Sequence, residues 1–406
     1  MLFTFRGGPR EGHLLLPPSK SLAHRKIILA ALAPSGGEVY LSEISNDIKE
    51  TINLVKSLGG KVTITNTNNT HIITIAPIQK NITTPVHIHV DESATTLRIA
   101  LILAPALAER VTFTAGESLA ARPMEEGIRF LRENGVKTTG PRPLETKGRL
   151  AFHNAKIHAE TTGQFATGAL IAALVQDRDT TLAVINPASR PYIAMTARMI
   201  ADAGVKVEET QDTYIVHKGQ IQKITPHVEG DLSHAAYFIV ANEMGSRIRL
   251  ENLPAHSLQG DIKIYDHIKS IKENTPVDLT HTPDLLMPLA VLATQTGATF
   301  TGIRRLRTKE TDRIAATAAM LRALGINTTS TEDTLIVAPG TIRPATVDTF
   351  GDHRIAFAAF AAACAATGPI ALKNPEAANK SWPGFYAAVE KLPLIHENKI
   401  ENKNIK

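Results

Sequence analysis

Four short segments concentrate side chains that can hold anions. Pro17-Pro18-Ser19-Lys20-Ser21 runs through His24 and Arg25 into an apolar stretch, and Glu92-Ser93-Ala94-Thr95-Thr96-Leu97-Arg98 does the same. Lys309-Glu310-Thr311-Asp312-Arg313 and Gly351-Asp352-His353-Arg354 repeat the device. In each, a hydroxyl or carboxylate suited to capping a helix meets a Lys or Arg within the first turn or two. A helix start presents unpaired N–H groups and the positive end of the dipole. Anions settle there, and a basic side chain one turn on completes a cradle for phosphate or carboxylate. A cation in the first turn is otherwise mildly unfavourable. One such segment reads equally well as a capped helix with a solvated Arg. Four together point to a site for several negative charges, on more than one phosphate-bearing molecule.

Other chemistries find little support. His87 and His89 share one face of a strand without a third ligand, so no metal site is expected. The single cysteine, Cys364, lies in an Ala-rich helical run and reads as core; it also excludes a disulfide framework. Neither GxxxxGK[ST] nor GxGxxG occurs, and no cofactor is implied. The 44 Lys+Arg against 39 Asp+Glu give a net charge of +5 over 406 residues, a mild bias. The one dense basic segment, Arg304–Arg313, contains Glu310 and Asp312 and no aromatic residue, so a nucleic-acid partner is not expected. The start lacks a secretory pattern, and the longest apolar run, Ile355–Ala366, is short of the roughly 18 residues of a membrane span. A soluble cytoplasmic protein, without metal or membrane partner, is the expectation.

The elements that must position these segments form a weak repeat. A helical run, a glycine, a β-branched stretch, a polar turn and a second strand recur around Gly59, Gly135, Gly204 and Gly325. The spacing is roughly 70 residues, with the last interval close to two such periods. This predicts about six units, a degenerate one falling around Tyr265–Leu279. Apolar helices are predicted over Ser21–Leu32, Ala94–Ala108, Gln164–Val175, Leu232–Asn242, Pro283–Thr294 and Arg354–Ala366, several apolar all round and therefore buried. At 43% apolar residues and this length, two domains of three units each are expected. Gly7–His13 reads as a flexible polar stretch, His227–His234 as a polar break, and residues 397–406 as a fraying tail.

The segments PPSKSLAHR, ESATTLR, ARPMEEGIRFLRENG, TGQFATGALIAAL, SRPYIAMTARMI, EGDLSHAAYF, TPDLLMPLA, RTKETDR, DHRIAFA and NKSWPGFY occur in this order from about Leu16 to Phe385. On these motifs the chain resembles the 5-enolpyruvylshikimate-3-phosphate (EPSP) synthase family of enolpyruvyl transferases. The resemblance implies an α/β (α+β) two-domain fold, each domain made of three βαβαββ-type repeats packed around buried helices. Residues 1–14 with 230–406 would form the phosphoenolpyruvate side and 15–229 the shikimate 3-phosphate side, with the ligands in the cleft between. It implies that Lys20, Ser21, Arg25, Thr162, Gln164, Ser189, Asp284 and Lys309 hold shikimate 3-phosphate, with Arg190 and Tyr192 beside them. Phosphoenolpyruvate would be held by Lys20, Thr95, Arg98, Arg122, Gln164, Arg313, Arg354 and Lys380, with Lys309 also in reach. Asp284, Glu310, Lys20 and His353 form the implied catalytic set, in a monomer acting on these two small molecules.

The chemistry accounts for those residue types. C2 of phosphoenolpyruvate becomes electrophilic only when C3 takes a proton, and the 5-hydroxyl must lose one as it attacks. The tetrahedral ketal then expels phosphate while C3 returns its proton, so acid and base act in both directions. Asp284 is expected as base toward the 5-hydroxyl, Glu310 and Lys20 as the proton-handling pair at C3, and the Arg/Lys ring as stabiliser of phosphate. Departures from the family pattern are Ala94 for a Gly, Thr162-Gly163 for Ser-Ser, His24 for an Asn and Arg305 for an Asn. Ala94 implies weak inhibition by glyphosate, which is bulkier than phosphoenolpyruvate. The sister transferase acting on UDP-N-acetylglucosamine has Lys-Asn where Lys20-Ser21 stands and commonly a loop cysteine, absent from Gly116–Arg122. A non-catalytic RNA-binding protein would not need Asp284, Glu310 and His353 beside the cations.

Overall fold

The computed structural model describes residues 2–68, 70–140 and 143–395; the expected tail 397–406 lies outside them. The chain divides into two compact units, Pro18–Val228 and Met1–Pro17 with Glu229–Lys406.

In the unit Pro18–Val228 the site-bearing helices are α1 (Lys20–Leu32), α2 (Asn46–Ser57), α3 (Ala94–Leu107), α4 (Gln164–Ala173) and α5 (Arg190–Asp202). Helices α1, α3 and α4 are buried nearly all round, as their uniform apolar character requires. Gly168 lets α3 and α4 close up, since a Cβ there would lie 3.2 Å from the Ile99 backbone. Three sheets flank these helices. Two of them repeat one topology. Val86–Val90 pairs in parallel with Arg110–Ala115, and Asn154–His158 with Thr180–Ile185. An antiparallel hairpin then joins the second strand, Lys137–Thr139 with Leu144–Lys147 and Val207–Thr210 with Thr213–Val216. The third sheet keeps only the strands Gly37–Leu41, Thr70–Ile75 and Val62–Thr67. Strand Val86–Val90 alternates strictly, with Val86, Ile88 and Val90 buried, so His87 and His89 face solvent.

In the other unit α6 (Leu232–Glu243), α7 (Leu286–Leu292), α8 (Arg313–Ala323) and α9 (His353–Ala363) share one core. Its complete sheet runs Val277–Asp278, Ala298–Thr301, Leu335–Val337, Thr328–Ser330, in the same parallel-then-hairpin order. The remaining sheets are partial: Glu11–Leu15 beside Arg247–Glu251, and Leu2–Phe5, Ile370–Lys373, Ala345–Asp348. Among the described residues there are therefore three complete βαβαββ units and three abbreviated ones.

Glycines 59, 135, 204 and 325 take φ of +84°, +85°, +96° and +87°, the left-handed geometry that ends each preceding helix before its hairpin. The unit expected around Tyr265–Leu279 is degenerate as anticipated, and two further expectations need correcting. Around Tyr265–Leu279, helix Ile264–Lys272 ends at left-handed Asn274 (φ 56°), but no hairpin follows. Val277–Asp278 is instead captured as the first strand of the next sheet. The predicted helix Pro283–Thr294 breaks into a 3₁₀ turn, Pro283–Leu285, and α7. Starting the α-helix at Leu286 keeps Pro288 in its first turn, where no N–H is needed. Gly7–His13 is not a loose connector: Glu11–Leu15 is a strand, and Arg10 is buried and donates to Leu392 O at 2.8 Å. A Cβ on Gly7 would lie 2.3 Å from Gly368 O. Among the described residues no helix is long and apolar enough to cross a membrane.

Candidate active site

Within Pro18–Val228 the starts of α1, α3, α4 and α5 are tied together by polar side chains. Lys20, the first residue of α1, pairs with Asp47 of α2 at 2.9 Å. One turn on, Arg25 is buried; its Nε donates to Thr196 Oγ1 (2.7 Å) and its Nη1 to Ser21 O (2.7 Å). Its Nη2 donates to Thr167 Oγ1 (3.1 Å) and Tyr192 O (3.0 Å), so α1 is locked onto α4 and α5. Burial pushes the Arg25 guanidinium down to about 10, which leaves it charged at neutral pH. Gln164, opening α4, donates to Thr95 Oγ1 at 2.7 Å and accepts from Arg98 Nη1 at 2.9 Å. Arg98 also donates to Pro123 O, the residue after buried Arg122, and lies over the Phe165 ring. Thr162 Oγ1 accepts from the Gln164 N–H at 3.3 Å. Ser189 occupies the N-cap position of α5 with φ 56°, a strained conformation for a non-glycine residue of the kind found at binding sites.

The second cluster belongs to the other unit. Asp284 lies in the 3₁₀ turn ahead of α7, Arg313 opens α8, and Asp352 caps α9 through the Arg354 N–H at 2.9 Å. Arg313 is the hub: it meets Asp284 Oδ1 at 2.8 Å, Glu310 Oε2 at 2.6 Å and Asp352 Oδ2 at 2.7 Å. Arg354 takes the other Asp284 oxygen at 2.8 Å, and Lys380 Nζ stands 3.5 Å from Glu310 Oε1. Lys380 ends a 3₁₀ turn, Pro375–Lys380, entered through left-handed Asn374 (φ 52°). His353 is buried at the start of α9 beside Asp352.

These partners set the protonation states. Burial pushes the Asp284 carboxyl up, but Arg354, Lys309 and Arg313 outweigh it and hold the group well below the usual carboxylate range. Burial likewise opposes charge on Arg313 and Arg354, and their carboxylate neighbours more than restore it. Lys309 falls to about 8, because burial and Arg313 oppose its charge more than Asp284 and Glu310 favour it. An ammonium titrating near neutrality is suited to proton handling as well as to anion binding.

Each unit thus gathers its own share of the residues singled out from the sequence. Lys20 with Asp47, Ser21 with Arg25, and Thr95 with Gln164, Arg98 and Thr162 form three polar sets at the helix starts of one unit; Asp284, Glu310, Arg313, Arg354 and Lys380 form one connected network in the other. Arg190 differs: it forms an exposed ion pair with Asp212 at 2.6 Å. Two acids carry contacts beyond those expected, Asp352 with Arg313 and Asp47 with Lys20. Asp352 was visible inside the DHR motif, but nothing local marked Asp47 as the partner of Lys20. Two departures gain a physical reason. A Cβ at Gly163 would lie 2.9 Å from Ala188 O and 3.0 Å from Ile193, so serine does not fit. His24 is buried against Thr51 Oγ1 at 2.6 Å, and burial lowers it to about 3, so it is a neutral hydrogen-bonding group. Among the described residues, no group of three His, Cys, Asp or Glu could hold a metal ion.

Repeated βαβαββ units with cation-rich helix starts define the enolpyruvyl-transferase fold class. EPSP synthase from Acinetobacter baumannii superposes with a TM-score of 0.77 at 21% identity, over 97% of this chain and 98% of its own. The enolpyruvyl transferase NikO from Streptomyces tendae gives 0.71 at 17%, over 96% and 97%. The EPSP synthase (3-phosphoshikimate 1-carboxyvinyltransferase) family profile matches residues 6–389. The 3-phosphoshikimate 1-carboxyvinyltransferase of Clostridium novyi is 33% identical, over 94% of this chain and 95% of its own length. That of Thermococcus kodakarensis is 30% identical, over 94% and 97%. The chain belongs to the EPSP synthase family.

Proposed function

We propose that this protein transfers the enolpyruvyl group of phosphoenolpyruvate to the 5-hydroxyl of shikimate 3-phosphate and releases phosphate, a step of aromatic amino acid biosynthesis. One observation carries it: Asp284 is held between Arg313 and Arg354 while Glu310 is shared by Arg313 and Lys380. Cations that can grip a phosphate thus stand in direct contact with carboxylates that can move protons.

In the ligand-free protein Asp284 is a weak base, because both its oxygens are taken by guanidinium groups. An arriving phosphate competes for Arg313 and Arg354. As those cations turn to the ligand, the Asp284 carboxylate regains basicity at the moment the 5-hydroxyl must be deprotonated. Glu310, Lys380 and Lys20 are the groups we assign to proton transfer at C3. His353, buried beside Asp352, completes the assigned catalytic set. Thr162, Gln164, Ser189, Ser21, Arg25 and Lys309 are assigned to shikimate 3-phosphate. Thr95, Arg98, Arg122, Arg313, Arg354 and Lys380 are assigned to phosphoenolpyruvate, with Lys20 and Gln164 shared. Residues 15–229 supply the shikimate 3-phosphate side and residues 1–14 with 230–406 the phosphoenolpyruvate side, within a cytoplasmic monomer.

The test is phosphate release from phosphoenolpyruvate, run with shikimate 3-phosphate and separately with UDP-N-acetylglucosamine. Release with the first alone supports the assignment. Release with the second alone transfers the protein to the sister reaction, and release with neither ends the proposal.

A further inference from the structure

We propose that Glu50 is a positioning residue that holds the anion-binding start of α3 in its working geometry. Its carboxylate accepts from three consecutive backbone N–H groups. Asp91 and Glu92 donate to Oε1 at 3.1 and 3.0 Å, and Ser93 donates to Oε2 at 2.7 Å. Successive amides aimed at one point form a nest that takes an anion, and the anion here comes from α2. Ser93, at the end of the nest, caps α3 through the Thr96 N–H and also meets Thr96 Oγ1 at 2.9 Å. Thr95 is two residues beyond the nest and Arg98 one turn further, so the backbone path through 91–93 decides where both side chains lie.

Neighbouring contacts give the same function to the rest of that helix. Thr51, next to Glu50, bonds Thr96 Oγ1 at 2.7 Å and His24 of α1 at 2.6 Å. Asp47, one turn earlier, pairs with Lys20. On its other side the loop is closed by Gly116, where a Cβ would lie 2.4 Å from Asp91 O. Helix α2 therefore braces the starts of α1 and α3 together, and Glu50 is the member that holds main chain rather than side chain. Burial and the nearby Asp47 raise the Glu50 carboxyl, and its three amide bonds oppose that rise.

The inference rests on the assignment of Thr95 and Arg98 to phosphoenolpyruvate, and its test separates the two. Steady-state kinetics with both substrates compare Glu50→Ala and Glu50→Gln with Arg98→Lys, alongside thermal melting. Losing three charge-assisted bonds should raise KM for phosphoenolpyruvate about tenfold or more in Glu50→Ala. KM for shikimate 3-phosphate and kcat should stay within about threefold, since the bond network of Arg25 is untouched. Glu50→Gln should fall between, because the amide keeps one acceptor while its NH₂ group opposes the nest; it carries the test should the alanine variant not fold. An unchanged phosphoenolpyruvate KM overturns the proposal. So does a rise in both KM values with a fall in kcat that follows the loss of Tm. If Arg98→Lys raises the phosphoenolpyruvate KM and the Glu50 variants do not, only the Glu50 proposal falls. If Arg98→Lys also leaves it unchanged, the ligand assignment falls and takes Glu50 with it.

Discussion

Replacing Asp284 by alanine should abolish turnover and yet tighten phosphate binding. The carboxylate occupies the guanidinium groups a phosphate would use, at 2.8 Å from Arg313 and 2.8 Å from Arg354. A unit pair about 4 Å apart is worth about 4 kcal/mol at an effective dielectric constant near 20 and about 1 kcal/mol in water. The Asp284 side chain is 26% exposed, which places each pair between those limits. Removing this competitor from both arginines should then strengthen inorganic phosphate binding by about 10- to 100-fold, equivalent to about 1.4–2.8 kcal/mol. Without ligand the variant should be less stable. Arg313 keeps Glu310 and Asp352, but buried Arg354 loses its carboxylate partner. A loss of about 2 kcal/mol would lower Tm by about 4–8 °C for a unit of this size. Saturating phosphate should return most of that loss. Calorimetric titration with phosphate, melting with and without it, and single-turnover phosphate release measure the three effects. Phosphate binding no tighter than in the unmodified protein would refute the competition, and wild-type turnover would remove Asp284 as base.

Four further outcomes are expected. Lys309 is charged below about 8 and neutral above it in the free protein, so kcat/KM should fall on an alkaline limb beginning near pH 8, and Lys309→Arg should move that limb upward. The same depression below the ordinary lysine value means that Lys309 opposes folding most below pH 8; this penalty should lift between pH 8 and the unfolded value near 10.5, visible in urea midpoints. Gly163→Ser should not supply the missing hydroxyl contact. Its Cβ would press on Ala188 O and Ile193, costing about 1–3 kcal/mol and raising KM for shikimate 3-phosphate through displaced Ser189. Glyphosate should inhibit weakly, and Ala94→Gly should make inhibition stronger in a competitive assay against phosphoenolpyruvate; potent inhibition of the unmodified protein would refute the role given to Ala94.

The sequence alone determined what depends on neighbours a few residues apart. Helix starts were legible because Ser93, Asp312 and Asp352 precede apolar runs and do cap them. Helix ends were legible because only glycine adopts the left-handed geometry cheaply at 59, 135, 204 and 325. The family motifs then named most residues of both clusters. Tertiary structure decided which charges meet. Arg313 finds Asp284 and Asp352 across 29 and 39 residues of chain, and Glu50 reaches amides 41 to 43 residues away. It also decided that Val277–Asp278 would join the following sheet rather than close a repeat. Ion pairing, burial and the protonation states they impose depend on separations in space and on exclusion of water. No spacing along the chain encodes those until the helices pack.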